Sequence, residues 1–318
     1  MPARLTAVPH LGMLQNVNRT GPPTLGLPIL LPFVLVSFAV NSLITRYVVQ
    51  RQLLDAGLLT AVRFVSGALA LLLLAVVLRE RLHVGRANLV PALWLGVYAV
   101  CISYGYLFIG AAAGTFVFYA SVLLTLLASD LARRVSVPRR RLAGAGVALA
   151  GLAVLATQAS GAVTPLGVVL LSATGVAWGL YTAAGRSAAD PRAATTGHFV
   201  VLAGVLVLPM GVLFSPAVHV VVTGTGVAWG AVMGAGTTAF AYIAWYACQR
   251  ALSATSAGTV QLVIPVLTAV GAVLLLGERI TPGLAVAALL VGAGMWLARI
   301  RAVPPDRTRR VEVSGGST

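Results

Sequence analysis

The chain has 318 residues, of which 59% are hydrophobic and only 9% are charged, and its mean hydropathy is +0.96. Soluble domains carry about 25% charged residues, so this composition excludes a soluble globular protein, and the high hydrophobicity excludes a disordered chain. The net charge is +15, from 22 basic residues and 7 acidic ones. In a membrane protein, such an excess indicates retention of positive residues on the cytoplasmic side rather than a nucleic-acid partner.

Ten apolar runs lie between two polar tails. Residues 1–27 carry Arg4 and Arg19 and form a cytoplasmic tail rather than a cleavable signal, and residues 301–318 form a basic cytoplasmic tail. Each run can cross a hydrocarbon core of about 30 Å. The runs cover residues 28–48, 57–78, 88–110, 113–131, 142–158, 164–185, 195–214, 221–247, 256–277 and 283–300. The sequence therefore predicts an all-α integral membrane protein with ten transmembrane helices.

The arginines predict the orientation. With both termini in the cytoplasm, 18 of the 22 arginines lie on the cytoplasmic side; Arg46, Arg51 and Arg279 lie outside, and Arg63 lies within the second span. The positive-inside rule therefore favours this orientation. The absence of Lys and the abundance of Ala, Gly and Val are typical of a GC-rich bacterial genome, so we expect a multi-pass protein of the bacterial inner (plasma) membrane.

Short matches between the two halves indicate an internal repeat. The tripeptide AGT at 113–115 recurs at 257–259, Pro138 recurs as Pro282, and RFV at 63–65 recurs as HFV at 198–200. These matches divide the chain into a first five-helix repeat at 28–158 and a second at 164–300. Because five is odd, the repeats must be inverted relative to each other, which is typical of secondary transporters.

Three stretches resemble the EamA-type transporters of the drug/metabolite transporter superfamily, over about residues 28–300. They are LLTAVRFVSGALALLLLAVVLRER, VAWGLYTAAGR and AYIAWYACQRALSATSAGTVQLVIPVLTAVGAVLLLGERIT. The resemblance implies ten helices in two inverted repeats around a central cavity, and export or exchange of small metabolites such as amino acids. The first repeat departs from the family pattern, because Ser121 and Arg134 stand where Pro265 and Glu278 recur.

Pro265 marks a candidate site in the ninth span. It lies about nine residues into the span, which is roughly 13 Å deep at 1.5 Å per residue. Proline cannot donate to the carbonyl of Gln261, and a freed carbonyl at this depth is tolerated where it lines a cavity or finds a neighbouring donor. Gln261 then either faces a substrate or bonds to an adjacent helix.

Polar and aromatic residues in the other spans could line a metabolite site, since pocket walls combine aromatic surface with a few polar groups. The candidates are Asn41, Trp178, Tyr181 and Tyr242. Trp245 and Tyr246 lie near the inner end of the eighth span, where we interpret them as an interfacial aromatic belt.

Glycines at helical spacing mark the fifth, eighth and tenth spans, and small residues of this kind let helices approach closely. They are Gly144, Gly151, Gly226, Gly230, Gly234, Gly292 and Gly294. We interpret them as packing residues.

Arg63 and His198 occupy matching positions in the two repeats. Arg63 lies about five residues inside the second span, so its side chain either snorkels to the surface or binds an anion bidentately. No acid occupies the same helical face one turn away. We predict that Arg63 is the most functionally sensitive charged residue and that His198 contributes when protonated. Asp130 is expected to pair locally with Arg133 and Arg134.

Motifs for catalysis or cofactor binding are missing from the sequence: there is no HExxH, CxxC or P-loop, and all seven acids fall in tails, loops or helix ends. We therefore predict a secondary transporter, without metal or cofactor, that acts by facilitated diffusion or exchange. Its partners are a small-molecule substrate and the lipid bilayer. An integral-membrane enzyme and a non-transporting membrane subunit are the alternatives.

Overall fold

The computed structural model describes residues 26–80, 84–109, 111–157, 163–213, 220–276 and 281–298, and the regular structure in these ranges is helical. These ranges contain twelve α-helices, a 3-10 turn at Arg86–Asn88 and a π-helical segment at Met233–Phe240. The helices are α1 Leu27–Gln50, α2 Ala56–Val77, α3 Leu89–Gly105, α4 Ala111–Ala132, α5 Arg139–Thr157, α6 Pro165–Gly185, α7 Pro191–Leu213, α8 Gly224–Val232, α9 Ala241–Gln249, α10 Ala254–Gln261, α11 Val263–Leu276 and α12 Pro282–Ala298.

Eight helical stretches in the described ranges are long and apolar enough to cross a membrane. Three of them are composite: the 3-10 turn continues into α3, α8 continues through the π-helical segment into α9, and α10 continues into α11. Two shorter apolar helices, at 191–207 and 282–298, complete the set. The all-helical membrane class is therefore confirmed, whereas ten crossings remain a prediction.

Local hydrogen bonds explain where several helices begin. The Asp190 carboxylate accepts the N–H groups of Arg192 at 2.8 Å and Ala193 at 3.3 Å, and Pro191 suits the first helical position. Helix α7 therefore starts four residues before the predicted residue 195. Asp55 caps α2 in the same way, accepting the N–H of Gly57 at 2.8 Å.

Two ends of the bundle are distinguished by their arginines. At the Arg-poor end, antiparallel bridges join Leu54 to Val222 and Ile109 to Val163. At the Arg-rich end, the Arg192 guanidinium contacts the Glu80 carboxylate at 2.6 Å. Ten arginines of the described ranges lie at this second end: Arg79, Arg86, Arg133, Arg134, Arg139, Arg140, Arg141, Arg186, Arg192 and Arg250.

Glycines set the closest helix contacts, as the sequence indicates. A Cβ on Gly144 of α5 would meet the backbone of Gly294 on α12, and the reverse also holds. Gly234 brings the eighth span against α2 in the same manner, and Gly226 brings it against Leu53 and Leu54 before α2, whereas Gly292 faces open space. The packing interpretation is therefore wrong for Gly292.

Candidate functional site

Aromatic rings from several helices meet in the middle of the bundle. The Trp178 ring of α6 stacks on Tyr181 with centroids 5.6 Å apart and meets Tyr242 of α9 edge-on at 5.3 Å. Tyr98 of α3 lies 4.9 Å and Phe38 of α1 lies 5.6 Å from the same indole. The candidates Trp178, Tyr181 and Tyr242 are therefore brought together, and they are almost fully buried.

Gln261 connects this aromatic group to α10. The Trp178 indole N–H donates to the Gln261 side-chain oxygen at 2.6 Å, and the Gln261 amide nitrogen donates to the Ala257 carbonyl at 2.9 Å. The Gln261 side chain therefore bonds to an adjacent helix and is fully buried, while its contact with a substrate remains a prediction.

Pro265 lies just beyond a break in the ninth span. Helix α10 ends at Gln261 and α11 begins at Val263, with a turn at Leu262 between them. Proline has no backbone N–H, so Pro265 cannot donate the helical hydrogen bond to the Gln261 carbonyl. The break at Leu262 therefore follows directly after the residue whose carbonyl the sequence predicts to be free. Pro265 itself is buried.

Asn41 of α1 bonds to the π-helical segment, which the sequence does not reveal. Its side-chain oxygen accepts the hydroxyl of Thr237 at 2.9 Å and that of Thr238 at 3.2 Å, and its amide nitrogen donates to Thr238 at 3.0 Å. π-helical turns cluster at functional sites. The GAGTT run that forms this segment is the only signal that the sequence offers.

Arg63 is buried instead of reaching the membrane surface, with 7% of the residue exposed. Its guanidinium carbon lies 4.5 Å from the centre of the Phe64 ring. Its Nε and Nη2 atoms have no hydrogen-bond partner among the described residues. The snorkelling alternative for Arg63 is therefore wrong, and a buried cation with unused donors remains.

His198 is the repeat counterpart of Arg63, and the residues that follow them are in contact. The ring centroids of Phe64, after Arg63, and Phe199, after His198, are 5.2 Å apart. The His198 imidazole contacts Tyr181 and Tyr246 at 5.6 Å each, and its Nδ1 has no partner among the described residues.

Asp130 has partners different from those expected. Its carboxylate accepts an N–H of Arg186 at 3.0 Å, the backbone N–H of Ala254 at 3.2 Å, and both the backbone N–H and the hydroxyl of Thr255 at 2.7 and 2.8 Å. The predicted pairing with Arg133 and Arg134 is wrong, because α4 ends at Ala132. Asp130 instead joins α4 to the start of α10 and the end of α6 at the Arg-rich end.

Trp245 and Tyr246 are not an interfacial belt, which corrects the sequence interpretation. Only 0% and 1% of these residues is exposed. The Trp245 indole donates to the Thr182 hydroxyl at 3.2 Å, and the Tyr246 hydroxyl donates to the backbone carbonyl of Tyr181 at 3.0 Å. Both rings thus belong to the packed contact between α6 and α9.

Other features of the sequence fall outside the described ranges. These include Glu278, Arg279, both tails and the histidines His10, His83 and His219. Within the described ranges, no group of three His, Cys, Asp or Glu side chains is arranged to hold a metal ion. The described acids all lie at helix ends, and none lies beside Arg63.

Comparison with known proteins places this geometry in context. Residues 165–300 match the EamA-like transporter family. Uncharacterized protein PA1977 of Pseudomonas aeruginosa is 35% identical over 265 residues, which cover 83% of this chain and 91% of that protein. One solved crystal structure, described simply as a protein, is similar with a TM-score of 0.72 at 20% identity and covers 86% of this chain and 96% of its own. This last likeness concerns the fold alone.

Proposed function

This chain belongs to the EamA-like transporter family, and from that premise we propose that it is a secondary carrier of small metabolites such as amino acids. We propose further that it works by alternating access, as an exporter or exchanger, in the bacterial inner membrane. The observation that carries the proposal is Arg63, a buried cation in the centre of the bundle whose Nε and Nη2 atoms have no partner among the described residues.

The substrate pathway is proposed to run through the aromatic centre. Its lining residues are Arg63, Asn41, Trp178, Tyr181, Tyr242, Gln261, Pro265 and His198. A buried guanidinium with unpaired nitrogens costs free energy unless an anionic group joins it, so a carboxylate on the transported molecule is the natural partner. The rings of Trp178 and Tyr242 would then contact the apolar part of the substrate.

Two inverted five-helix repeats with ten crossings are supported by which helices pack together. Helix α6 packs on α3 and α4. Its counterpart in the first half, α1, packs on α9 and α11, which belong to the spans that correspond to α3 and α4. Helices α2 and α7 are counterparts and pack on each other, as do the counterparts α5 and α12. The contact between Phe64 and Phe199 fits a pseudo-twofold axis at this point.

Interruptions in the eighth and ninth spans support a central binding site. The π-helical segment occupies the middle of the stretch from Gly224 to Gln249, and the turn at Leu262 divides α10 from α11. Transporters place their substrates at such discontinuous helices. The counterpart helices α3 and α4 are continuous, so the second repeat would supply most of the site.

The Arg-rich end is proposed to face the cytoplasm, by the positive-inside rule. A closed state of this end is supported by α10, all of whose residues are buried. The matching residues of α4 include the half-buried Thr115, Phe116 and Val117. This difference supports a state that is more open towards the Arg-poor, external end.

Exchange or facilitated diffusion is the proposed mode of energy coupling. Proton-coupled carriers rely on Asp, Glu or His within the membrane. The acids of the described ranges are Asp55, Glu80, Asp130 and Asp190, and each lies at a helix end. His198 is the one described imidazole, and it lies within α7.

The decisive experiment is a screen of the purified protein in liposomes. Counterflow of labelled amino acids, nucleosides and sugars should identify at least one transported compound, and removal of a pH gradient should not abolish its exchange. Conversion of any compound into a different product would favour the membrane enzyme. Absence of counterflow for every compound, with the protein folded, would favour the non-transporting subunit.

A further inference from the structure

A second group of buried polar atoms lies at the Arg-rich end of the bundle, apart from Arg63. We call it the inner polar cluster; it consists of Thr195 on α7 and Gln249 on α9, together with His198 on α7 and Tyr181 on α6, which also border the proposed substrate pathway. The residues are between 0% and 4% exposed. The Thr195 hydroxyl, His198 Nδ1, the Tyr181 hydroxyl and both polar atoms of the Gln249 side chain have no hydrogen-bond partner among the described residues.

Helix geometry brings these residues together. Helices α7 and α9 are antiparallel neighbours, and His198 contacts Tyr246 with ring centroids 5.6 Å apart. Thr195 precedes His198 by three residues and Gln249 follows Tyr246 by three, so each lies on the same helix face one turn nearer the Arg-rich end. This spacing places Thr195 and Gln249 at the same level of the two helices, where no hydrogen bond joins their side chains. Tyr181 borders the cluster, because its ring contacts that of His198 at 5.6 Å.

The counterpart of Thr195 in the first repeat has hydrogen-bond partners. Thr60 is the counterpart of Thr195 at the offset of 135 residues, and its oxygen lies 2.6 Å from the Ser103 hydroxyl of α3. Its hydroxyl also donates to the Ala56 carbonyl at 3.0 Å. The Thr195 hydroxyl makes no such bond to its own helix. The two counterpart threonines thus differ: the Thr60 hydroxyl is paired, whereas the Thr195 hydroxyl has no partner among the described residues.

Unpaired buried polar atoms are expensive, at about 1–3 kcal/mol each, so a packing role alone does not account for this cluster. We infer that the inner polar cluster is a second binding station of the carrier, for a neutral hydrogen-bonding group of the transported molecule. The chemistry of the cluster sets this class, because hydroxyls, a carboxamide and an imidazole both donate and accept. The acid Asp130 at the same end of the bundle is already bonded to Arg186, Ala254 and Thr255. The inference rests on the proposed carrier function and extends it to the cytoplasmic half of the pathway.

Cysteine labelling tests whether the station can be reached. Thr195→Cys is placed in a chain whose native Cys101 and Cys248 are replaced by Ala, and membrane vesicles of each orientation receive a hydrophilic methanethiosulfonate reagent. The matched control is Thr174→Cys, because Thr174 is equally buried and its hydroxyl donates to the Leu170 carbonyl at 2.8 Å. We expect labelling of Thr195→Cys from the cytoplasmic face and no labelling of the control. No labelling of Thr195→Cys from either face would overturn the inference.

Apolar isosteres test whether the station binds. Thr195→Val and Gln249→Leu remove the unpaired atoms, so both variants should be at least as thermally stable as the parent. Counterflow of the compound transported fastest in the liposome screen should nevertheless show KM raised by about tenfold, which is the effect of losing about 1.4 kcal/mol of binding. Unchanged KM in both variants would overturn the station, even with Thr195→Cys labelled. If no compound is transported by the parent protein, the carrier function fails, and the second station fails with it whatever the labelling result.

Discussion

Asp130 on α4 accepts two hydrogen bonds from Thr255 on α10, one from the backbone N–H at 2.7 Å and one from the hydroxyl at 2.8 Å. The two residues belong to different halves of the chain. The other carboxylate oxygen of Asp130 accepts an N–H of Arg186 at 3.0 Å, and Asp130 is fully buried. One carboxylate thus satisfies the start of α10 and neutralises a cation at the end of α6.

We therefore expect Asp130→Ala to reduce the free energy of unfolding by about 3–5 kcal/mol, the cost of removing one member of a buried pair. Thermal unfolding in detergent measures this effect. Arg133→Ala is the matched control, because the Arg133 side chain is exposed, and it should leave stability unchanged within about 0.5 kcal/mol. Equal stability of Asp130→Ala and the control would contradict the role of this network.

The partners of Asp130 show where sequence reasoning reaches its limit. The spacing to Arg133 and Arg134 implies a pair only if the helix continues, yet α4 ends at Ala132 and Arg134 has a positive φ of 55°. The actual partners are 56 and 125 residues away. Contacts of this range depend on how helices pack, which local spacing does not encode.

Features that depend on apolar length or on a missing N–H were predictable. The spans follow from continuous hydrophobic runs, and the break before Pro265 follows from the proline ring. The π-helical segment was not predictable from the local sequence, because Thr237 and Thr238 bond to Asn41 on a distant helix. The burial of Trp245 and Tyr246 was missed for a related reason: an aromatic residue near a helix end suits a lipid interface and a helix contact equally well.

The α5–α12 contact predicts opposite effects for two neighbouring glycines. A Cβ on Gly144 would meet the backbone of Gly294, whereas a Cβ on Gly146 would meet nothing within 4 Å. Gly144→Ala should lower the free energy of unfolding by about 1–3 kcal/mol through overpacking. Gly146→Ala should be neutral or stabilising by up to about 1 kcal/mol. Unfolding in mixed micelles compares them, and equal effects would contradict the close approach.

The hydrogen bond between Trp178 and Gln261 is expected to be structural. Gln261→Met leaves the buried indole N–H without a partner, so stability should fall by about 1–2 kcal/mol. Trp178→Phe with Gln261→Met removes both members, and the double-mutant cycle should give a coupling of about 1 kcal/mol. The same unfolding assay measures the cycle. Zero coupling would imply that Gln261 interacts chiefly with something other than Trp178.

Reporter fusions test the proposed orientation. Fusions after Arg141 and Arg192 should give the signal of a cytoplasmic reporter, because both lie at the Arg-rich end. Fusions near Ser160 and His219 should give the signal of an external reporter. Expression of each fusion, measured by blotting, is the control. Reversal at any of the four sites would contradict the alternation of helices on which the inverted repeats depend.

Arg63 gives the sharpest test of the binding site. Its guanidinium is buried against Phe64, and two of its nitrogens have no partner among the described residues, so a substrate carboxylate would gain charge-assisted hydrogen bonds there. Arg63→Gln should reduce kcat/KM for the transported compound by about tenfold to a hundredfold, corresponding to about 1.5–3 kcal/mol for a hydrogen bond to a charged group. Arg63→Lys should also be impaired, because an ammonium does not reproduce the planar donors of a guanidinium.

Arg133→Gln serves as the control for charge alone, and its transport should equal that of the parent. Normal expression with full transport in Arg63→Gln would remove Arg63 from the substrate pathway, since a residue that contributes only to packing would affect yield before turnover.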